Sequence, residues 1–273
     1  MNFVPFCGYS VLVVRLNLAL VKSLYAKTPN GLHSLDFSFW YYNRTLWSVG
    51  IILLSLKVAL VSVAFSLPVA IGVAYLLARF EFPGKTLLDA VVHLPLVLPP
   101  VVVGFALLVL FGRHGPIGAW LESWFGIVFA FRWTGAALAA AIMGFPLMVR
   151  AIRLSFSAID RRLETVARTL GGSRSWVFVS VTLPLALPGL VTGIVLSFAR
   201  SLGEFGATIT FVANIPGETQ TLPLAIYTYT QSPSGDLQAL RLSVIAVILS
   251  LVALVAAERI TRRKTALARA PRT

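Results

Sequence analysis

Charged residues are scarce in this 273-residue chain, at 12% of the sequence, whereas apolar residues make up 58%. An ordinary soluble domain has roughly 25% charged and about 45–50% apolar residues. A soluble fold of this length has too little interior to hide so much apolar surface. The composition therefore excludes an ordinary soluble domain and predicts that the excess apolar surface faces lipid or other membrane helices.

Cysteine and acidic residues are also rare. The single cysteine, Cys7, cannot form an intrachain disulfide, and no spacing of residues typical of a zinc site is present. Ten acidic against 23 basic residues give a net charge of +13, which raises nucleic acid as a partner. The basic residues lie in clusters between apolar runs rather than along one face, so the pattern favours membrane topology over nucleic-acid binding.

Five uncharged stretches, helped by flanking arginines, are long enough to cross a bilayer, which takes about 20 mostly apolar residues. They predict an all-α membrane protein with five core transmembrane helices. Prolines interrupt several of these runs, and two interpretations stay open: simple kinks, or a broken pore-lining helix at residues 95–100. The stretches are 58–78, 90–112, 133–149, 175–199 and 242–257.

Lysine and arginine gather in alternate loops. Residues 79–89, 150–174 and the segment from 258 onward carry 2, 6 and 6 of them, against three in the loops between. Because positive charge accumulates on the cytoplasmic side, the 150–174 loop and the C-terminus are predicted to lie in the cytoplasm.

The first 45 residues allow three interpretations. The apolar run 3–21 contains Arg15, and an arginine in the middle of a membrane helix costs about 2.5–3.5 kcal/mol on insertion scales. The run is therefore a sixth span, an interfacial helix, or sequence upstream of the true start. The predicted organisation has three parts. Residues 1–45 are this extension, residues 46–260 are a membrane domain whose prominent cytoplasmic loop is 158–184, and residues 261–273 are a basic cytoplasmic tail.

Residues 160–172 are typical of a short amphipathic helix. Asp160 suits the N-cap position, and Gly171 suits the left-handed position after the last turn. Glu164 and Arg168 lie off an apolar stripe whose members recur at i, i+3, i+4 and i+7. Such a helix either rests on lipid headgroups or docks into a groove of a partner protein, and the residues alone leave both open. The stripe consists of Leu163, Val166, Ala167 and Leu170.

The same segment resembles the cytoplasmic loop of permease subunits in binding-protein-dependent ABC importers, whose pattern is E-A-A-x-x-x-G-x9-I-x-L-P. Gly171, the nine-residue gap after it and the pair Leu183-Pro184 match, whereas Thr165 stands in place of the acid. In that family the loop is the coupling helix, which sits in a cleft of the ATPase subunit, so the resemblance favours docking on a protein. The ATPase-coupling residues that it implies are Leu163, Glu164, Val166, Ala167, Arg168, Leu170, Gly171, Leu183 and Pro184.

The resemblance covers about residues 47–259, and within this family the sequence looks most like the molybdate members. It is carried by HLPLVLPPVVVG at 93–104 and ARSLGEFGATITFVANIPGET at 199–219. The Gly-Glu-Phe-Gly element at 203–206 is shared with sulfate/thiosulfate and tungstate relatives, whereas the stretch 213–219 looks closer to the molybdate members. The cargo that the resemblance implies is therefore molybdate or, alternatively, tungstate or sulfate.

Such a permease, with the transmembrane domain of a type I ABC importer, works in the bacterial inner membrane as a pair of copies. Two ATPase subunits bind ATP and magnesium (Mg) inside, and a periplasmic or extracytoplasmic molybdate-binding protein delivers the anion outside. Alternating access then moves the anion across the bilayer. In this chain the resemblance implies a transport subunit without a cofactor or metal of its own.

Other functions are less well supported by the residues. Gly84-Lys85-Thr86 resembles the end of a phosphate loop, but Arg79 stands where the first glycine belongs. A secondary transporter is expected to carry acids or histidines in several spans, and Glu204 is the main candidate. A membrane hydrolase needs a nucleophile with a positioned base, and the sequence shows no such pair. A channel fits the composition, but a channel does not need a cytoplasmic loop that binds an ATPase subunit.

Arg200 and Glu204 are the notable charges inside an apolar region, and their spacing allows them to pair along a helix. In one interpretation Arg200 attracts the anion while Glu204 holds the Arg200 side chain in place. In the other, the pair braces a break in the helix at Gly203 and Gly206. An acid beside an anion path repels the cargo, which favours the brace. The residues predicted to line the translocation path are Arg200, Ser201, Gly203, Glu204, Gly206, Thr208, Pro99 and Pro100.

Replacement of Gly171 by valine is expected to weaken docking of the ATPase subunit, because the left-handed position penalises a β-branched side chain. A pull-down of the ATPase subunit with the purified permease measures this. Recovery of the ATPase at the wild-type level would count against the docking role of the loop.

Overall fold

The computed structural model describes the backbone of residues 32–233 and 235–269, and side chains over 48–233, 235–255 and at 259. Within these residues the regular structure is helical throughout, which confirms the predicted all-α fold. The chain divides into two compact units, Met1–Val49 and Gly50–Thr273. The interpretations of the apolar run 3–21 concern residues outside the described part.

Eleven helices are numbered here in chain order, and α7 contains a π-helical segment at Phe178–Thr182. Their bounds are α1 (Leu32–Arg79), α2 (Lys85–Val97), α3 (Pro100–Phe111), α4 (Pro116–Phe125), α5 (Trp133–Ala158), α6 (Arg161–Thr169), α7 (Arg174–Leu185), α8 (Leu187–Leu202), α9 (Gly206–Val212), α10 (Leu222–Thr230) and α11 (Asp236–Arg269).

Three helices among the described residues are long and apolar enough to cross a membrane: the part of α1 from Ser48, all of α5, and α11 as far as Val255. Two further candidates are bent pairs. Helices α2 and α3 meet at 113°, and α7 and α8 meet at 68°. If each bent pair is one span, the count by length and composition is five, the number that the uncharged stretches predict.

The sharp bend between α2 and α3 follows from the sequence Leu98-Pro99-Pro100. Leu98 and Pro99 have extended backbone, with ψ of 142° and 132°. A residue before proline is pushed out of the helical region, and proline supplies no N–H for a helical bond. Pro100 then begins α3, at the end of a helix where proline is favoured. Of the two interpretations left open, the structure shows a break at residues 98–99, whereas Pro68, Pro95 and Pro146 lie inside helices.

Helix α5 packs against α8 through small residues. A Cβ added to Gly144 would lie 2.4 Å from the Ser197 Oγ, and one added to Gly193 would lie 3.1 Å from the Met148 carbonyl oxygen. Lipid supplies no hydrophobic driving force between helices, so close contact of small residues is a main source of association. The two helices run antiparallel, because residues early in α8 contact residues late in α5.

Helix α9 packs against α3 at a similarly close approach. A Cβ on Gly104 would lie 2.5 Å from the Ala207 carbonyl oxygen and 2.8 Å from the Ala207 Cα. Phe211 of α9 is fully buried in the same cluster as Ala136 and Met143 of α5. The half-helices α3 and α9 are therefore fixed against each other and against the central helix.

Ion pairs mark one end of the bundle formed by residues 50–255. Arg153 of α5 contacts Asp89 of α2 at 2.7 Å, and Arg79 at the end of α1 donates to the Ile159 carbonyl oxygen at 3.3 Å. We call this the Arg79 end. Trp133, at the start of α5, lies at the opposite end. Large apolar side chains of α1 and α11 point away from the bundle, as expected for helices that face lipid or other membrane helices.

Replacement of Gly104 by alanine is expected to destabilise the fold by about 1–3 kcal/mol, because the added methyl group overlaps backbone atoms of α9. The midpoint of thermal unfolding in detergent, followed by tryptophan fluorescence, should fall. Gly72→Ala is the matched control, since a Cβ on Gly72 meets nothing within 4 Å. Equal midpoints for the two variants would show that α3 and α9 do not pack as described.

Candidate coupling loop and translocation path

The short helix α6 has the caps that the sequence predicts. The Asp160 carboxylate accepts the Arg162 N–H at 2.9 Å, which satisfies one free donor of the first turn. Gly171 has φ of +90°, in the left-handed region where a side chain is strained. The N–H of Gly172 donates to the Ala167 carbonyl oxygen at 3.1 Å. The predicted helix over 161–170 is confirmed, with Leu170 as the C-cap residue.

The apolar stripe of α6 faces away from the bundle. Leu163, Val166 and Leu170 are 49%, 56% and 83% exposed, while Ala167 is half-buried. Arg168 is exposed as well. Apolar side chains left in water on a short helix cost free energy unless another surface covers them. The stripe, together with the adjoining cleft at Gly172 and Trp176, is a surface suited to a protein partner.

Glu164 points the other way and is buried. Its Oε1 accepts a hydrogen bond from Arg79 Nη2 at 2.8 Å and another from Thr182 Oγ1 at 3.0 Å. The predicted coupling residues are thus divided between two sides: Glu164 faces the bundle, and Leu183 packs partly against its core, whereas Pro184 is exposed. The sequence places Glu164 off the stripe but does not identify its partners, which lie 85 and 18 residues away.

The Arg79 end also carries an exposed ion pair beside α2. Lys85 Nζ lies 2.6 Å from Glu81 Oε1, four residues earlier. The hydrogen bond from Lys85, with its positive charge, holds the pKa of Glu81 below its ordinary value. The positive charges of Arg161, in α6, and of Arg153 lower this pKa further, so the pair is not isolated from α6.

The predicted break at residues 203–206 separates α8 from α9, and Glu204 is its buried centre. The Glu204 carboxylate, 2% exposed, accepts the Ala207 N–H at 2.8 Å through Oε1, and Oε2 lies 2.5 Å from Arg200 Nη1. An acid at this position satisfies a free N–H of α9 and complements the positive end of its dipole. The predicted pairing of Arg200 with Glu204 is confirmed, and its geometry favours the brace.

The two helix breaks meet. A Cβ on Gly206 would lie 2.7 Å from the Pro100 Cβ, so the start of α9 touches the start of α3. Ser201 lies opposite α1 and α5: its Oγ is 3.0 Å from the Ser62 Oγ and 3.4 Å from the Ala140 carbonyl oxygen. The Ser201 hydroxyl is therefore occupied by neighbouring helices.

The remaining predicted path residues differ in exposure. Thr208 is buried at 2%, whereas Gly203 and Pro99 are exposed. The Arg200 side chain is 27% exposed, so part of its guanidinium stays open beyond the contact with Glu204. The structure thus gathers the predicted residues around one break, with Arg200, Gly203 and Pro99 on its accessible side.

Lys57 is a functional candidate that sequence reasoning missed, because the first uncharged stretch begins only at Val58. It lies within the apolar part of α1, and its Nζ is 3.7 Å from the centre of the Trp133 ring. This is the geometry of a cation–π interaction. A lysine inside an apolar helix is itself a signal of function.

The stretch 213–219, which resembles molybdate members, is a hydrogen-bonded turn. Thr219, fully buried, accepts the Ile215 N–H at 2.9 Å and donates to the Ala213 carbonyl oxygen at 3.1 Å through its hydroxyl. Asn214 donates to the Thr228 hydroxyl at 2.7 Å. These contacts account for the threonine and asparagine by the architecture of the turn, with no need for contact with cargo.

Comparison with known proteins identifies the family. The sequence profile of the family described as "Binding-protein-dependent transport system inner membrane component" matches residues 66–266. The molybdenum transport system permease protein ModB of Escherichia coli (strain K12) is 61% identical over 211 residues, which cover 77% of this chain and 92% of that protein. The sulfate transport system permease protein CysT of the same strain is 42% identical over 158 residues, covering 58% and 57%.

A solved structure shares the fold. In the inward-facing MetNI methionine ABC transporter, one chain aligns with a TM-score of 0.64 at 18% identity, covering 81% of this chain and 98% of that one. The profile match spans most of the helical unit that carries α6 and both helix breaks. This chain therefore belongs to the family of binding-protein-dependent transport system inner membrane components, the permease subunits of ABC importers.

Proposed function

We propose that this chain imports molybdate across the bacterial inner membrane, as the permease subunit of a complex driven by a separate ATPase. The observation that carries the proposal is the exposed apolar stripe of α6, formed by Leu163, Val166 and Leu170. A rigid, doubly capped helix that presents apolar side chains at one end of the bundle suits a groove on a partner protein. The identity of 61% to a molybdenum transport permease supports the choice of cargo.

The proposal assigns the Arg79 end and the C-terminus to the cytoplasm. The basic residues of the loop over 150–174 support this orientation by the positive-inside rule. Two ATPase subunits, which bind ATP and magnesium, then dock on the α6 helices of two permease copies. A binding protein delivers the anion at the Trp133 end, and ATP-driven alternating access moves it past the break between α8 and α9.

The proposal includes a second permease copy, as the family resemblance implies. The cleft beside Gly203, of about 660 Å³, is lined largely by apolar side chains of α8, α10 and α11. A dianion removed from water requires hydrogen-bond donors or positive charge. In this chain the partly exposed Arg200 supplies positive charge at the break, and a second copy would double it.

Sulfate is the second candidate cargo, since it is also a tetrahedral dianion and a sulfate permease is 42% identical to this chain. The identity to the molybdenum permease is higher and covers more of both proteins, which favours molybdate. The turn at 213–219 does not separate the two, because its polar side chains bond to the turn itself.

Reconstitution tests the proposal. The permease is co-expressed with the ATPase and binding protein expected from neighbouring genes, and the complex is placed in vesicles loaded with ATP. We expect uptake of molybdate that requires both ATP and the binding protein, with sulfate taken up at least tenfold more slowly. Uptake by the permease alone, without nucleotide, would overturn the proposal; a preference for sulfate would overturn the choice of cargo.

Replacement of Arg200 by alanine is expected to destabilise the complex by about 1–3 kcal/mol, because the buried Glu204 carboxylate loses its partner. Addition of Glu204→Gln should restore stability, since the double variant removes both charges and keeps an acceptor for the Ala207 N–H. Thermal unfolding in detergent measures both effects, with the exposed Arg113→Ala as the control. A stable Arg200→Ala complex with lost uptake would instead assign Arg200 to the anion.

A further inference from the structure

Helix α6 is attached to the bundle through a single buried side chain. Of its nine residues, all within the described part of the chain, Glu164 is the one that is buried. The apolar residues that usually hold a surface helix to a core are here on the outside. The position of α6 relative to the bundle therefore depends chiefly on the polar contacts of Glu164, together with an exposed hydrogen bond from Arg161 and the backbone at either end.

The contacts of Glu164 form a buried polar cluster. Its Oε1 lies 2.8 Å from Arg79 Nη2, and the two side chains are 10% and 6% exposed. Thr182 is fully buried and donates its hydroxyl to the same oxygen at 3.0 Å. Arg79 also donates to the Ile159 carbonyl oxygen, and Arg161 Nη2 donates to the Arg79 carbonyl oxygen at 3.4 Å. Charge-assisted hydrogen bonds with little water access are directional and strong.

The two partners of Glu164 lie where membrane helices begin or end. Arg79 is the last residue of α1. Thr182 is the last residue of the π-helical segment in α7, four residues before the 68° bend into α8 at Ala186. Irregular helical turns of this kind are frequent at functional sites. Displacement of α6 thus acts on α1 and on the α7–α8 bend through one carboxylate.

We propose that Glu164 is a positioning residue that transmits movement of the coupling helix α6 to α1 through Arg79 and to α7 through Thr182. The proposal rests on the proposed function in one respect, that α6 receives the ATPase. Glu164 itself does not touch the ATPase, since its side chain faces the bundle. The apolar face of α6 binds the partner, and the acidic face carries the displacement into the membrane helices.

The test uses Glu164→Gln, Arg79→Gln, the double variant and Thr182→Val, which keeps the ion pair and removes only the hydroxyl. Glu122→Gln is the matched control, because it removes the charge of a glutamate whose ion-pair partner, Arg113, also lies outside α6. Three quantities are measured for each: amide hydrogen exchange of residues 161–170 in the permease alone, binding of the ATPase subunit, and molybdate imported per ATP hydrolysed.

We expect Glu164→Gln to raise exchange in α6 at least tenfold, to change ATPase binding less than threefold, and to lower molybdate imported per ATP at least fivefold. The double variant should resemble either single variant, because the residues act as one unit. Thr182→Val should have a smaller effect of the same kind, and Glu122→Gln none. A merely structural loss would lower import and ATP hydrolysis together and leave their ratio unchanged.

Loss of ATPase binding by Glu164→Gln with unchanged exchange in α6 would overturn the proposal, since Glu164 would then contact the ATPase. Wild-type exchange and a wild-type transport ratio would overturn it as well. The proposed function fails separately, when the wild-type complex shows no ATP-driven uptake. In that case the exchange measurement on the permease alone still decides whether Glu164 holds α6.

Discussion

Backbone polar groups that lie away from water in a membrane protein must be satisfied within the protein, and this requirement accounts for the contacts at the break between α8 and α9. A broken helix leaves free N–H and carbonyl groups at the break. Ser201, just before the break between α8 and α9, contacts the Ala140 carbonyl oxygen, about 10 Å along α5 from Trp133 at 1.5 Å per residue. At that depth Glu204 accepts the Ala207 N–H and pairs with Arg200, so one carboxylate satisfies both a backbone donor and a charged side chain.

A buried carboxylate also divides the surface of α6. A carboxylate facing the bundle is tolerated because Arg79 and Thr182 satisfy it, and that leaves the apolar stripe free to face outward. An ordinary surface helix buries its apolar face, whereas α6 exposes three residues of its apolar stripe and buries one carboxylate. A helix arranged in this way is held by directional bonds on one side and covered by a partner on the other. Both properties suit a part that passes mechanical displacement between two proteins.

Small residues have a comparable role in the centre of the bundle. Gly144 and Gly193 let α5 and α8 approach until backbone and side-chain atoms touch, and Gly104 does the same for α3 and α9. The half-helices on either side of the two breaks are thereby fixed to a continuous helix. Movement at the Arg79 end can then reach the path residues through packed elements rather than through loops.

The sequence by itself determined the membrane class, the five apolar stretches and α6 with both its caps, and it left open whether the prolines at 95–100 kink or break their helix. The determined features follow from local chemistry: apolar run length, a short acidic side chain at an N-cap, and the left-handed preference of glycine. The pairing of Arg200 with Glu204 was also within reach, because the two residues lie four apart.

Only the tertiary structure decided which way α6 faces, that Glu164 binds Arg79 and Thr182, and that Gly206 meets Pro100. Periodicity shows that a helix has two faces but does not say which one the bundle covers. Partners 85 and 18 residues away leave no trace in local spacing. Lys57 escaped notice for a related reason: the helix that contains it extends beyond the uncharged stretch, and its contact with Trp133 depends on how two helices pack.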